Sequence, residues 1–195
     1  MYRAAAWYML RNDVDLDDPG AIAAKMAEAS IDSGTDPAAP TISVNGIDVS
    51  APIREDDVTA AVSRVSAVPA VRAKLADLQR AETAKAAAGA GGIVVEGRDI
   101  ATAVLPDADV KVFLTADQLA RASRRAEQDQ QAGRAADVVD TASALAARDA
   151  ADSSRQASPL QQAPDAQLVD ATFLTLPEVI DTVLALVADN RKELV

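Results

Sequence analysis

Several charged side chains in this chain are spaced so that they would lie on one face of a helix. Arg121, Arg124 and Arg125 lie at i, i+3 and i+4, which would place three guanidinium groups side by side. Like charges in this arrangement destabilise a helix, so the pattern indicates a bound anion. The alternative is an ordinary solvated face, tempered by Glu127 and Asp129.

A second charged set follows the same helical spacing. Arg148, Asp152 and Arg155 lie at i, i+4 and i+7. Because arginine binds a phosphate or carboxylate through two parallel donors, this set could clamp a phosphate or a sugar, with the aspartate holding the arginines in place. It could equally be a surface ladder of ion pairs, and spacing alone does not decide between them.

A third candidate is the Arg98-Asp99 pair. It follows the short apolar run Ile93–Val95, which is typical of a strand buried on both faces. In a parallel sheet, ligands bind beyond the carboxyl ends of the strands. Arg98 could therefore hold a phosphate while Asp99 accepts from an amino or hydroxyl group, although a structural ion pair is about equally consistent with this position.

Composition excludes several classes of function. The chain has 195 residues, a net charge of −11, and neither His nor Cys. A Ser-His-Asp triad, a cysteine nucleophile, an ordinary zinc site and a disulfide framework are therefore impossible. The acidic balance argues against a nucleic-acid polymer as partner. Of the 19 cations, 14 are arginine, which indicates either anion binding or the codon bias of a GC-rich genome.

Hydropathy predicts a cytoplasmic protein. No stretch approaches 18 uninterrupted apolar residues, and no signal peptide is recognisable after Met1, so we expect no membrane span and no export.

The elements that must position these charges alternate between helix and strand. Asn45-Gly46 between two alternating runs predicts a hairpin over Thr41–Val49, and Asp18-Pro19 predicts a helix start. Strands are predicted at 93–95, 110–114 and 167–169, and helices at 1–12, 19–29, 55–66, 70–88, 118–131, 138–151 and from 176 onward. This order indicates an α/β fold with a parallel sheet flanked by helices.

Several segments, in this order, resemble one enzyme family. They are residues 1–3 (M-Y-R), 48–54 (D-V-S-A-P-I-R), 62–72 (V-S-R-V-S-A-V-P-A-V-R), 96–100 (E-G-R-D-I), 105–111 (L-P-D-A-D-V-K), and 148–155 (R-D-A-A-D-S-S-R) with 158–160 (S-P-L). Each is modest alone, but together they cover nearly the whole chain. They are similar to bacterial cytidylate kinase (CMP/dCMP kinase), a member of the nucleoside monophosphate kinase group of P-loop kinases.

The resemblance implies transfer of the γ-phosphoryl group of ATP to CMP or dCMP, with Mg²⁺ accompanying ATP. It implies one domain over 1–195, with an inserted CMP-binding lobe at 30–70 and a lid at 116–156, acting as a monomer. It also implies site residues: Ser63, Arg72 and Asp99 for the cytosine ring, Arg3, Arg98 and Arg155 for the CMP phosphate, Arg148 and Asp152 for the ribose, Arg54 at the same pocket, and Arg121, Arg124 and Arg125 as the catalytic lid arginines.

The chain departs from the family pattern at its start. That pattern opens with a strand, a G-x-x-G-x-G-K-[ST] loop, a helix and a second strand, and none of these is found in the 195 residues. Gly92 to Gly97 copies only the spacing of a P-loop, because strand-forming residues lie between the glycines and Arg98-Asp99 replaces Lys-Ser. The missing first strand would lie between 93–95 and 110–114. Ala101 also replaces a family glycine, which would strain the turn if it needed a positive φ.

Three hypotheses remain open. The chain is a cytidylate kinase whose start was placed too late, a protein that binds CMP without transferring phosphate, or a remnant or helical interaction protein without either activity. The near-complete set of pocket residues favours the first. In-frame DNA upstream of Met1 would separate it from the other two.

We predict that the 195 residues alone have no useful kinase activity, because the lysine and hydroxyl that hold the ATP phosphates and magnesium are missing. A coupled assay for ADP release tests this. Turnover within about a hundredfold of an intact relative would contradict it.

Overall fold

The computed structural model describes residues 1–89, 92–131, 133, 135, 137–154 and 158–193, without the side chains of 191–193. Contacts divide the chain into two compact units, Met1–Val95 and Glu96–Val195. Arg155 lies outside the described residues, so the position predicted for it in the phosphate site is not described.

The first unit is built from four helices and a small antiparallel sheet. Its elements are α1 (Tyr2–Arg11), α2 (Pro19–Glu28), β1 (Ile31–Ser33), β2 (Ile42–Val44), β3 (Ile47–Asp48), a 3₁₀ turn (Pro52–Arg54), α3 (Asp56–Ala67) and α4 (Pro69–Ala88). The predicted helices are all present. The predicted start of α2 is confirmed, since the Asp18 carboxylate accepts from the amides of Gly20 and Ala21 at 2.8 and 3.1 Å.

The core of this unit forms where α1 packs against α3. Three consecutive alanines, Ala4 to Ala6, are fully buried, as are Met9 and Val65. Because alanine adds so little bulk, the two helices approach closely, and the larger Met9 and Val65 side chains fill the remaining space.

The predicted hairpin is confirmed. β2 and β3 pair antiparallel with Val44 opposite Ile47, and the two turn residues Asn45 and Gly46 have φ of 50° and 79°. These are the positive values that a two-residue hairpin turn requires. The sequence did not predict β1, which pairs with β2 and places Ile31 opposite Val44.

The second unit contains a parallel strand pair with helices. Its elements are a π-helical turn (Ile100–Val104), β4 (Val112–Thr115), α5 (Gln118–Gln131), α6 (Val138–Ser154), β5 (Gln167–Asp170) and α7 (Leu176–Glu193). β4 and β5 are parallel, with Phe113 opposite Leu168. This is the α/β class that the sequence predicts, with a small parallel sheet.

Two local predictions are wrong. Residues 93–95 do not form a strand, and Val94 is 94% exposed, because no neighbouring strand in the described chain satisfies their backbone groups. The capping-box spacing of Thr115-Ala116-Asp117-Gln118 predicts that Thr115 caps α5. Thr115 instead ends β4, and the cap is Asp117, whose carboxylate accepts from the Ala120 amide at 2.7 Å.

The two units differ in how much apolar surface they bury. In the described part of the second unit, the buried apolar residues are mainly small, for example Ala122, Ala126 and Ala171. Large apolar side chains, including Leu114 on β4 and Leu168 on β5, are more than half exposed. The second unit therefore depends more on polar contacts than the first.

Among the described residues, no helix is both long enough and apolar enough to cross a membrane.

Lys74 on α4 holds the end of α2. Its ammonium donates to the carbonyls of Met26, Ala27 and Ala29 at 2.8, 3.1 and 2.7 Å. These are the orphan carbonyls at a helix C-terminus, where a cation also complements the helix dipole.

We therefore predict that Lys74→Met destabilises the first unit by about 1–2 kcal/mol. Lys85→Met is the matched control, since Lys85 makes only an exposed pair with Glu82, and it should cost no more than a few tenths of a kcal/mol. The single tryptophan, Trp7, lies in this unit and reports its unfolding in urea. Equal losses for the two variants would contradict the helix-end role.

Candidate functional site

A tight turn buries the side chain of Asp99. The backbone carbonyl of Asp99 accepts from the amides of Ala103 and Val104 at 2.9 and 3.3 Å, and these bonds start the π-helical turn. Asp99 is only 6% exposed. A buried carboxyl group is rare unless it has polar partners.

Two small residues shape this turn. A Cβ on Gly97 would lie 2.7 Å from Cγ1 of Ile100, so only glycine allows the close approach. Ala101 lies inside the π-helical turn and does not have a positive φ. An alanine at position 101, where the family has glycine, therefore does not strain the backbone of this turn.

Arg98 is held by two carboxylates of α6. Its Nη1 donates to Oδ1 of Asp149 at 2.5 Å, and its Nε lies 3.0 Å from Oδ2 of Asp152. The two aspartates are three residues apart on α6, so both face the guanidinium from the same side of the helix. Asp152 is 5% exposed.

Arg121 of α5 completes the group. Its Nη1 donates to the second oxygen of Asp149, Oδ2, so this carboxylate bridges Arg98 and Arg121. The Nε of Arg121 is buried and has no hydrogen-bond acceptor among the described residues. A buried donor without an acceptor is costly, and a ligand oxygen would satisfy it.

Arg148 adds a third guanidinium. Its Nε lies 3.8 Å from Oδ2 of Asp152. Burial first, and then the positive charge of Arg98, lower the pKa of Arg148, while Asp152 and Asp149 oppose that change. Arg98 and Arg148 repel each other because their positive charges lie close together. A bound anion would reduce this repulsion.

Asp149 remains ionised in this environment. Burial favours its neutral form, but hydrogen bonds from Arg121 and Arg98 outweigh burial and hold its pKa below the usual value. We call Arg98, Arg121, Arg148, Asp149 and Asp152 the arginine cluster. It contains three guanidinium groups and two carboxylates, which leaves one excess positive charge.

The other two lid arginines lie apart from this cluster's ion pairs. Arg124 donates through Nη2 to the carbonyls of Ala171 and Leu174 at 2.5 and 2.9 Å, beyond the end of β5. Arg125 pairs with Asp129 of its own helix at 2.9 Å. Arg121, Arg124 and Arg125 therefore have three different partners within the protein, and their shared role at an anion stays a prediction.

The predicted site residues of the first unit form their own group. Arg72 is buried, donates to the Ser66 carbonyl at 3.2 Å, and its guanidinium carbon lies 5.3 Å from the centre of the Tyr2 ring. The backbone carbonyl of Ser63 accepts from the Ser66 hydroxyl at 3.1 Å.

Arg3 and Arg54 lie at the 3₁₀ turn. Arg3 donates to the Ile53 carbonyl at 2.6 Å and to the Thr59 hydroxyl at 3.0 Å, so it connects α1 to the turn and to α3. Arg54 ends the turn and is exposed.

The structure thus brings together Arg98, Arg148 and Asp152, which the sequence singled out, and adds Arg121. Sequence reasoning missed Asp149 and Tyr2. Both lie inside segments that carry the family resemblance, beside Arg148 and Arg3, but neither has a spacing that marks it out.

The described residues contain no group of three or more acidic side chains placed to hold a metal ion, and both carboxylates of the arginine cluster are engaged with arginine.

We predict that Arg124→Met loosens the segment after β5, because two carbonyls lose a charged donor, at a cost of about 1–3 kcal/mol. Arg125→Met is the matched control, since a pair at i, i+4 contributes about 0.3–0.5 kcal/mol. The Ala171 amide, which bonds the Thr115 carbonyl at 2.7 Å, should exchange faster with solvent only in Arg124→Met. Equal exchange in both variants would show that Arg124 does not hold this segment.

Comparisons with known proteins agree with the resemblance. The family model described as Cytidylate kinase matches residues 1–189. Relatives named cytidylate kinase include one from Streptomyces avermitilis, 54% identical over 97% of this chain and 79% of its own length. Others are from Nocardia farcinica, 50% identical over 97% and 80%, and Corynebacterium glutamicum, 44% identical over 96% and 80%. With a family match over nearly its whole length and relatives at about half identity, this chain belongs to the cytidylate kinase family.

Proposed function

We propose that this chain provides the nucleoside monophosphate site of a cytidylate kinase, which transfers the γ-phosphoryl group of ATP to CMP or dCMP and gives CDP or dCDP. The observation that carries the proposal is the arginine cluster, where three guanidinium groups converge within reach of two carboxylates. Such a cluster with excess positive charge suits a small dianion in an otherwise acidic protein.

Arg98 is the proposed holder of the CMP phosphate in the second unit. Its guanidinium forms ion pairs with Asp149 and Asp152, and a guanidinium group restricted in this way binds a phosphate at a lower entropic cost than a free one. By family resemblance, Arg3, Arg54 and Arg155 also serve the CMP pocket, and Arg148 and Asp152 contact the ribose.

Asp99 is the proposed reader of the cytosine ring, together with Ser63 and Arg72. A carboxylate accepts from the exocyclic amine of cytosine and cannot donate to the carbonyl that uracil has in its place. Asp99 is buried, so water would compete little for its carboxylate, and its preference for cytosine over uracil would be strong. The ring of Tyr2 fixes the Arg72 guanidinium by a cation–π contact.

In the proposed reaction, an oxygen of the CMP phosphate attacks the γ-phosphorus of ATP. The bond from that phosphorus to the bridging oxygen breaks, and ADP leaves with the electron pair. The lid arginines Arg121, Arg124 and Arg125 are proposed to neutralise the transferring group. Of these, Arg121 is the one that contacts the arginine cluster. When bound, ATP-associated Mg²⁺ would neutralise phosphate charge.

By the same resemblance, residues 30–70 are proposed as the CMP-binding lobe and residues 116–156 as the lid, in a monomer. A second candidate function is CMP binding without transfer. It would use the same arginine cluster to hold the CMP phosphate.

We predict that Asp99→Asn weakens CMP binding by about tenfold or more and shifts the preference toward UMP, because an amide can donate to the uracil carbonyl. Titration calorimetry of the full chain with CMP and UMP measures both affinities. Asp107→Asn is the control, since Asp107 is an exposed aspartate close by in sequence, and it should leave both affinities unchanged.

CMP binding by the wild type, tighter than UMP binding, supports the proposed nucleoside monophosphate site. Binding without ADP release is expected of these 195 residues under both candidates, so the in-frame DNA upstream of Met1, and not this assay, separates them. No CMP binding by a folded wild type, or an unchanged CMP preference in folded Asp99→Asn, would contradict the proposed site.

A further inference from the structure

The Asp149 carboxylate lies between two guanidinium groups that come from different parts of the second unit. Oδ1 accepts from Arg98 and Oδ2 accepts from Arg121. The Asp149 side chain thus lies between two arginines. The family resemblance assigns Arg98 to the CMP phosphate and Arg121 to the transferring phosphoryl group. Nothing in the motifs assigns a role to Asp149 itself.

We propose that Asp149 is an internal stand-in for the phosphate of the ligand, which a bound phosphate displaces from Arg98 and Arg121. The inference rests on the proposed function, because it concerns the same anion site. Asp149 is a positioning residue in this scheme. It keeps the two guanidinium groups close together and neutralised until a phosphate replaces its carboxylate.

The remaining contacts of the two arginines allow this exchange. Arg98 also forms an ion pair with Asp152, whose Oδ2 lies 3.0 Å from the Nε of Arg98, so it would keep a charged partner when Asp149 leaves. Arg121 has a buried Nε–H without an acceptor among the described residues. A single carboxylate therefore satisfies Arg121 incompletely, and a ligand with more oxygens would satisfy it better.

Charge favours the exchange in the same direction. A phosphate monoester carries a charge near −2 at pH 7 and three acceptor oxygens, whereas a carboxylate carries −1 and two oxygens. The arginine cluster has one excess positive charge, and Arg98 and Arg148 repel each other. A dianion compensates this excess more fully than Asp149 does.

The exchange would also couple binding to the two helices. Asp149 lies on α6 and Arg121 on α5, so their ion pair joins the helices directly. When a phosphate takes Arg121 from Asp149, that connection is lost and Arg121 turns to the ligand. Binding of a phosphate would therefore break the ion pair between α5 and α6 at the same time.

The test uses the full chain and two probes, CMP and inorganic pyrophosphate, titrated by calorimetry. Asp149→Asn should bind both probes about fivefold more tightly than wild type, because a competing charge has been removed from the site. Asp140→Asn is the matched control. It makes the same charge change at an exposed position in the first turn of α6, and its affinities should match wild type.

Asp149→Glu keeps the competing carboxylate and should return the affinities to within about twofold of wild type. Tighter binding by Asp149→Asn alone supports the stand-in role, since loss of a merely structural aspartate would not raise affinity. Weaker or unchanged binding by Asp149→Asn with an intact thermal transition overturns it, as does an equal gain in Asp140→Asn. The stand-in role is also overturned if Asp149→Asn does not fold and the affinities of Asp149→Glu differ from those of wild type by more than about twofold.

The two probes separate this inference from the proposed function. If Asp149→Asn gains affinity for pyrophosphate but neither protein binds CMP, the stand-in role stands and the CMP site fails. If wild type binds CMP and Asp149→Asn gains nothing for either probe, the CMP site stands and the stand-in role fails. If neither protein binds either probe, both fail.

Discussion

The second unit depends on one carboxylate shared by two guanidinium groups. Asp149 joins Arg98, which precedes the π-helical turn, to Arg121 on α5, while itself lying on α6. Three segments far apart in sequence are thereby held by charge. This matters because the described apolar core of that unit consists mainly of small side chains, so its polar contacts carry more of the organisation. The same contacts create the anion site, so the groups that stabilise the unit are also those that would meet the ligand.

The first unit is stabilised mainly by apolar packing rather than by ion pairs. Its alanine-rich α1 packs closely on α3 and buries a continuous apolar cluster, while charged groups have specific local tasks, as Lys74 does at the end of α2. The buried Arg72, for example, donates to a backbone carbonyl through Nη1 and lies over the Tyr2 ring. The unit is thus stabilised by packing and places a few polar side chains on that rigid support.

The start of α2 and the hairpin were predictable because their signals are local. Asp18-Pro19 and Asn45-Gly46 each specify a backbone conformation by themselves. Residues 93–95 were not predictable in this way, because an apolar run becomes a strand only when a neighbour pairs with it. Helical spacing correctly placed Arg148 and Asp152 together. It did not predict the partners of Arg121 and Arg124, because tertiary contacts set them, and it missed Asp149 for the same reason.

The most direct test of the central claim, that the arginine cluster binds the CMP phosphate, is a crystal structure of the full chain with CMP. The account predicts the phosphate between Arg98 and Arg121, with the Asp149 carboxylate no longer bonded to either guanidinium and Asp152 still beside Arg98. CMP bound with its phosphate elsewhere, and with Asp149 still bridging the two arginines, would contradict it.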